Sequence, residues 1–246
     1  METRKTEYDF KNVIQLEGTD DTTRKFMASV FMWMFVALAI SAAAAYLFSH
    51  DQSLFQLMRD PATGRNTTLG TIVMFAPLAF ILIMSFGMNK ISYPVLLVLF
   101  VAFSAMMGIS LSYIFLIYTS ALITTVFLTT SLVFGVMAVA GYTTHQDLTK
   151  FGSILIMALL GIVVASFINY FLHSEQMQYI ISYIGVAVFV GLTAYDVQRI
   201  KRIGQGLEYG DAAAPKLAIM GALSLYLDFI NLFVMLLQVF GGGKRR

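Results

Sequence analysis

Long apolar runs broken by short polar punctuation dominate the chain. Seven stretches are nearly free of charge: 26–49, 68–88, 93–115, 119–141, 152–172, 178–200 and 217–240. Each reaches the roughly 20 residues that a helix needs to cross a bilayer. Ile91 to Gln146 holds no Asp, Glu, Lys or Arg; that is too long for one crossing, and the polar Tyr118-Thr119-Ser120 divides it into two helices joined by a tight turn. The runs are apolar on every side and lack the alternating segments of about ten residues that mark barrel strands. The pattern therefore predicts an all-α polytopic membrane protein with seven transmembrane helices.

Around these spans, residues 1–25 read as a polar arm, flexible or lying on the surface, 26–240 as the transmembrane domain, and 241–246 (Gly-Gly-Gly-Lys-Arg-Arg) as a short basic tail. The arm carries acids as well as bases and precedes a full-length apolar run, unlike the short basic start of a cleaved signal peptide, so the first span is expected to stay as an anchor. The segment 50–67, with Asp60-Pro61 and Gly64, reads as an exposed, turn-rich connection.

Composition sharpens this picture. Charged residues make up 12% of the 246 and apolar ones 58%, against about 25% and 45–50% in ordinary soluble domains. A soluble fold needs charge on the outward face of each element, and this chain has too little. Net charge is +2 without a long basic block, so nucleic acid is not an expected partner. The absence of cysteine removes disulfides, thiolate nucleophiles and iron–sulfur ligands.

Lys and Arg placement sets the orientation. With the N-terminus cytoplasmic, that side holds Arg4, Lys5, Lys11, Arg24, Lys25, Lys90, Lys150, Arg199, Lys201, Arg202 and Lys216, and the other side holds five, among them Lys244, Arg245 and Arg246. A re-entrant last segment would return the tail to the cytoplasm. The 24 continuous residues of 217–240, without a Gly or Pro break at the centre, favour a full crossing.

Only two acids lie inside the spans, Asp196 in the sixth and Asp228 in the seventh. A carboxylate there costs about 2.5–3.5 kcal/mol of insertion free energy, which makes it a functional candidate by default. Each is the natural partner of the other, because the sixth span ends and the seventh begins on the same side; their depths match only if the sixth helix continues well past Arg199. On the sixth helix Ser182, Gly185, Phe189, Thr193 and Asp196 share one face, and on the seventh Ser224, Asp228 and Asn231 do. Two adjacent carboxylates in low dielectric would share a proton and titrate in two steps. Protonated, the pair clamps the helices; ionised, it repels and attracts a hard divalent cation such as Ca2+, with Asp196 and Asp228 as the metal contacts. The plainer reading is that each Asp hydrogen-bonds a neighbouring helix as structural glue.

Lys90, at the cytoplasmic end of the second span, either reaches the pair as a cationic partner or snorkels to the headgroups. Asn169, with Gly161 and Ala165, forms a small-and-polar face on the fifth helix suited to packing. Arg199-Ile200-Lys201-Arg202 reads as a topology signal and anionic-lipid contact. His145 falls on one side and His50 and His173 on the other, so they cannot share a metal. There is no H-E-x-x-H, Walker, Rossmann or G-x-S-x-G pattern, nor a lysine in the last span for a retinal Schiff base. No enzyme activity and no bound cofactor are expected.

Thr193-Ala-Tyr-Asp-Val-Gln-Arg-Ile-Lys201 and Ala222-Leu-Ser-Leu-Tyr-Leu-Asp-Phe-Ile-Asn-Leu-Phe233 closely resemble the end of the Bax inhibitor-1 (transmembrane Bax inhibitor motif) family, and Gly141-Tyr-Thr-Thr-His-Gln-Asp-Leu148 resembles that family's loop between helices four and five. The likeness covers roughly residues 24–242. It implies a seven-helix fold with a central last helix and a pH-sensitive Ca2+ leak controlled by an aspartate pair, for which Asp196 and Asp228 stand at the matching positions. It also implies that a basic residue near the end of the second helix assists closure, for which Lys90 is the candidate. His145 stands where many relatives carry a basic residue. Bacterial relatives occupy the plasma (inner) membrane, and some contact a membrane protease.

Two rival readings remain. An intramembrane aspartyl protease also uses two buried acids, and Tyr195-Asp196 matches its first motif, but Asp228 follows Leu225-Tyr226-Leu227 instead of a Gly-x-Gly context. A non-transporting scaffold that restrains another membrane protein fits the composition equally well.

Overall fold

The computed structural model describes residues 10–60 and 63–242, with side chains from residue 21 onward. Among the described residues there are nine helices: α1 (Phe10–His50), α2 (Gln52–Met58), α3 (Thr68–Gly87), α4 (Tyr93–Leu111), α5 (Ile114–Ile117), α6 (Ser120–Thr143), α7 (Thr149–Leu172), α8 (Glu175–Gln205) and α9 (Ala214–Gly241). Seven are long and apolar enough to cross a membrane: α1 from Asp21, α3, α4 continued by α5, α6, α7, α8 and α9. The protein is an all-α, seven-span membrane protein.

Local chemistry starts these helices where the sequence changes character. Thr67, Thr119 and Ser174 accept backbone N–H groups from Gly70, Leu122 and Met177 and so cap α3, α6 and α8. Proline in the first turn opens α4 and α9, where a missing N–H costs nothing. The Thr119 cap places the break between the third and fourth spans at the polar triplet.

Two connections differ from the sequence reading. Residues 10–25 are helical, continuous with the first span; Thr23, Phe26 and Met27 are buried, and Thr23 and Phe26 pack over Gly204 of α8. Tertiary contact thus recruits a polar run into a helix. Within 50–67, Asp51 accepts from the backbone of Ser53 and Leu54 and nucleates α2, whose Met58 is fully buried. Residues 1–9 and 243–246, hence most of the basic tail, lie outside the described residues.

The last helix is central. In its most apolar window 67% of α9 is buried, against 11% for α7, and α9 packs on α1, α4, α6 and α8. It runs unbroken over 28 residues, about 42 Å at 1.5 Å per residue, as a crossing requires. Glycines allow the closest approaches: a Cβ on Gly108 of α4 would run into the Ser41 carbonyl of α1, and one on Gly141 of α6 into the Ala194 carbonyl of α8. By contrast the backbones of α1 and α6 stay apart, and only their side chains meet in the core.

A candidate site in the seam between α8 and α9

The two polar faces meet. Ser182, Gly185, Phe189, Thr193 and Asp196 of α8 are all buried, and α8 packs against α9 along its length. Helix α8 continues to Gln205, about 14 Å past Asp196, which supplies the depth that the pairing needed.

The two acids are treated unequally. Asp196 Oδ2 accepts from Ser224 Oγ at 2.6 Å across the seam, and Oδ1 accepts from Arg199 Nη1 at 3.3 Å, one turn on in the same helix. Arg199 is about half exposed, with 52% of its side chain accessible, so solvent screens much of that ion pair. Asp228 makes no hydrogen bond; its Oδ2 is the one fully buried side-chain oxygen or nitrogen without a partner among the described residues. It lies within electrostatic reach of both Asp196 and Arg199. Lys90 is exposed in the turn after α3, and Arg199 is the cation paired with Asp196.

Other predicted side chains fall elsewhere along the seam. Thr193 Oγ1 donates to Phe189 O and Asn231 Nδ2 to Leu227 O, each within its own helix. Asn169 sits at the opposite end: its Nδ2 donates to Gln178 Oε1 at 3.1 Å and its Oδ1 accepts from Ser174 N. Gln238 Oε1 lies 2.7 Å from both Gln178 Nε2 and Ser182 Oγ, so α7, α8 and α9 are tied together there. Gly161 faces open space, and the packed face of α7 is instead Gly152, Ile162 and Asn169.

The basic run at the end of α8 holds the 142–149 loop. Gln198 accepts from Leu148 N and donates to Gln146 O, Lys201 donates to Tyr142 O, and Arg202 pairs with Asp147 at 2.6 Å. The Thr149 hydroxyl and the Arg202 guanidinium hold the Asp147 carboxyl well below the usual carboxylate range. A second polar contact lies at the core: Ser41 Oγ donates to Ser104 O at 2.7 Å and meets the hydroxyl of the fully buried Tyr226 at 2.6 Å.

Sequence reasoning gave Gln238 and Tyr226 no role, and read Arg199 as part of a topology signal and lipid contact, not as the partner of Asp196. Gln238 had a usable signal, since it continues the Ser224, Asp228, Asn231 face at helical spacing; Arg199, at a span boundary, reads like any other topology signal.

A cavity of about 260 Å³ leads in from the Arg199 end, lined by Ser85, Ser224 and Leu227. From the other end a larger apolar cavity reaches Ile230, so Asp228 lies in the interval between them along α9. Asp196, Asp228 and Ser224 offer too few oxygens for the six to eight that a resident Ca2+ takes, and no cluster of three or more His, Cys, Asp or Glu occurs among the described residues.

Fold and site define a polytopic helical membrane protein with a buried acidic seam. The chain belongs to the Bax inhibitor-1 family: the family profile described as "Inhibitor of apoptosis-promoting Bax1" matches residues 23–246. It is 44% identical over 220 residues to the inner membrane protein YbhL of Escherichia coli strain K12, covering 89% of this chain and 92% of that protein. A Borreliella burgdorferi protein is 41% identical over 217 residues (88% and 91% covered), and a Rickettsia prowazekii protein 39% over 225 (92% of each).

Proposed function

We propose that the protein is a pH-sensitive Ca2+ leak of a bacterial inner membrane, with the N-terminus cytoplasmic and the Asp196–Asp228 pair as its proton sensor. The observation that carries this reading is the buried, unpartnered oxygen of Asp228, one helix away from a second buried carboxylate. An unpaired carboxylate in hydrocarbon is costly to keep without a use.

When Asp228 holds a proton it is neutral, Asp196 stays bound to Ser224 and Arg199, and the helices remain packed. Loss of that proton puts two negative charges on facing helices with one screened guanidinium between them. Repulsion loosens the seam, and the divalent cation that neutralises both charges enters through the cavity beside Arg199 and Ser224. Flux then rises with pH. The excess of Lys and Arg on the side of Arg199 supports the cytoplasmic assignment of that cavity.

The test is Ca2+ flux into liposomes across roughly pH 6–8 for wild type, Asp196→Asn and Asp228→Asn. Wild-type flux should rise with pH, and both variants should lose that dependence. No wild-type flux at any pH would end the channel reading in favour of a scaffold that restrains another membrane protein; unchanged pH dependence in both variants would remove the carboxylates as sensor.

A further inference from the structure

Helix α9 is bonded on two opposite faces. Ser224 and Asp228, four residues apart, look toward α8, where Ser224 Oγ donates to Asp196 and Asp228 lies within electrostatic reach of Asp196 and Arg199. Tyr226 is two residues from each, hence about 200° round the helix, and its side chain is buried on the other side, against α1 and α4. There its hydroxyl meets Ser41 Oγ at 2.6 Å, and Phe103 of α4 stands edge-on to its ring with centroids 5.3 Å apart.

Proton counting fixes the direction of that bond. A serine hydroxyl carries one proton, and Ser41 gives its own to Ser104 O of α4 at 2.7 Å. Tyr226 must therefore donate to Ser41, so a single relay, from the Tyr226 hydroxyl through the Ser41 hydroxyl to the Ser104 carbonyl, joins α9, α1 and α4. All three residues are buried, where no water competes for the bonds. The relay stands on a firm base: at Ser41 the backbones of α1 and α4 are so close that a Cβ on Gly108 would run into the Ser41 carbonyl.

Repulsion between two ionised carboxylates is relieved by whichever helix yields. The other helices near α9 are α1, α4 and α6, packed on it, and α3 across the small cavity. They bring no Asp, Glu, Lys, Arg or His over 26–49, 68–87, 93–111 and 120–143, and Tyr46, Tyr93 and Tyr142 stand at or near helix ends. The charges that act on Asp228 thus come from α8 alone. We propose that Tyr226 is the positioning residue of the Asp196–Asp228 sensor: it fastens α9 to the α1–α4 unit, so that ionisation displaces α8 while α9 stays in place. The inference rests on the aspartate pair as proton sensor but not on the passage of Ca2+.

The test uses the full chain in phosphatidylethanolamine–phosphatidylglycerol vesicles. Because the chain has no cysteine, spin labels can be placed on cysteines substituted for Arg24 of α1, Lys150 of α7 and Lys216 of α9; α7 packs chiefly on α8 and reports its position. Between about pH 6 and 8 the distance from 24 to 216 should hold while that from 150 to 216 grows. Tyr226→Phe keeps the ring and removes the donor. In it the distance from 24 to 216 should also change with pH, and, since a yielding α9 lets the charges separate, the midpoint of liposome Ca2+ flux should move toward acid by up to about one pH unit, the limit set by one hydrogen bond of ordinary net strength. Ser41→Ala, which removes the acceptor, should do the same, whereas Gln238→Leu, which removes another buried tie of α9, should lower the melting midpoint alone. A distance from 24 to 216 that changes with pH in the wild type, no pH-dependent change in either distance, or wild-type behaviour of both Tyr226→Phe and Ser41→Ala overturns the proposal. Absence of wild-type flux, with both distances behaving as expected, ends the leak reading and supports the positioning role.

Discussion

At the scale of single residues, the two acids stood out in the sequence because charge is so scarce within the spans. What the sequence could not supply was their inequality. Asp196 has Ser224 and Arg199; Asp228 has nothing. A buried polar group without a partner costs about 1–3 kcal/mol, so Asp228→Leu should stabilise the fold, raising the detergent melting midpoint by about 2–4 °C per kcal/mol recovered while abolishing pH-dependent flux. Ser224→Ala acts in the other direction: it strips a charged acceptor of its donor and should cost about 1.5–3 kcal/mol in the same melting measurement. Asp147 provides the pH control. Its folded carboxyl titrates below its unfolded value, so its stabilisation is fully present above the ordinary carboxylate range and is lost only as the pH falls through the depressed value. Asp147→Asn should therefore leave the midpoint of any pH-dependent flux near neutrality unchanged.

Among elements, the spans were legible and their ends were not. The polar Tyr118-Thr119-Ser120 marked the start of α6, but α8 begins at Glu175, ahead of the expected 178, and α1 runs into a polar stretch where Thr23 and Phe26 meet Gly204 on another helix, a contact that no local pattern announces. The same limit hid the Gln178–Gln238 bond, which joins residues 60 apart. Gln238→Leu should leave Gln178 and Ser182 short of a partner and lower the melting midpoint without altering pH dependence. Close helix contacts at glycine yield a sharper expectation. Gly141→Val drives a side chain into the Ala194 backbone and should destabilise by about 1–3 kcal/mol or prevent folding, whereas Gly161→Val, facing open space, should leave the melting midpoint unchanged.

For the whole molecule, seven crossings put the 142–149 loop and the α7–α8 turn on opposite sides of the bilayer. Since the chain has no cysteine, any cysteine introduced is unique. His145→Cys should react with a membrane-impermeant maleimide only from the side of the N-terminus, and His173→Cys only from the other. Helix α1 adds a mechanical property. At 41 residues it is about 61 Å long, roughly twice the hydrocarbon thickness. It touches Gly204 near one face and Gly108 and Tyr226 deeper in, so a single helix links the end of α8 to the core of the bundle. Anything that tilts this one rigid rod therefore shifts the end of α8 and the surroundings of Tyr226, two residues from Asp228, together.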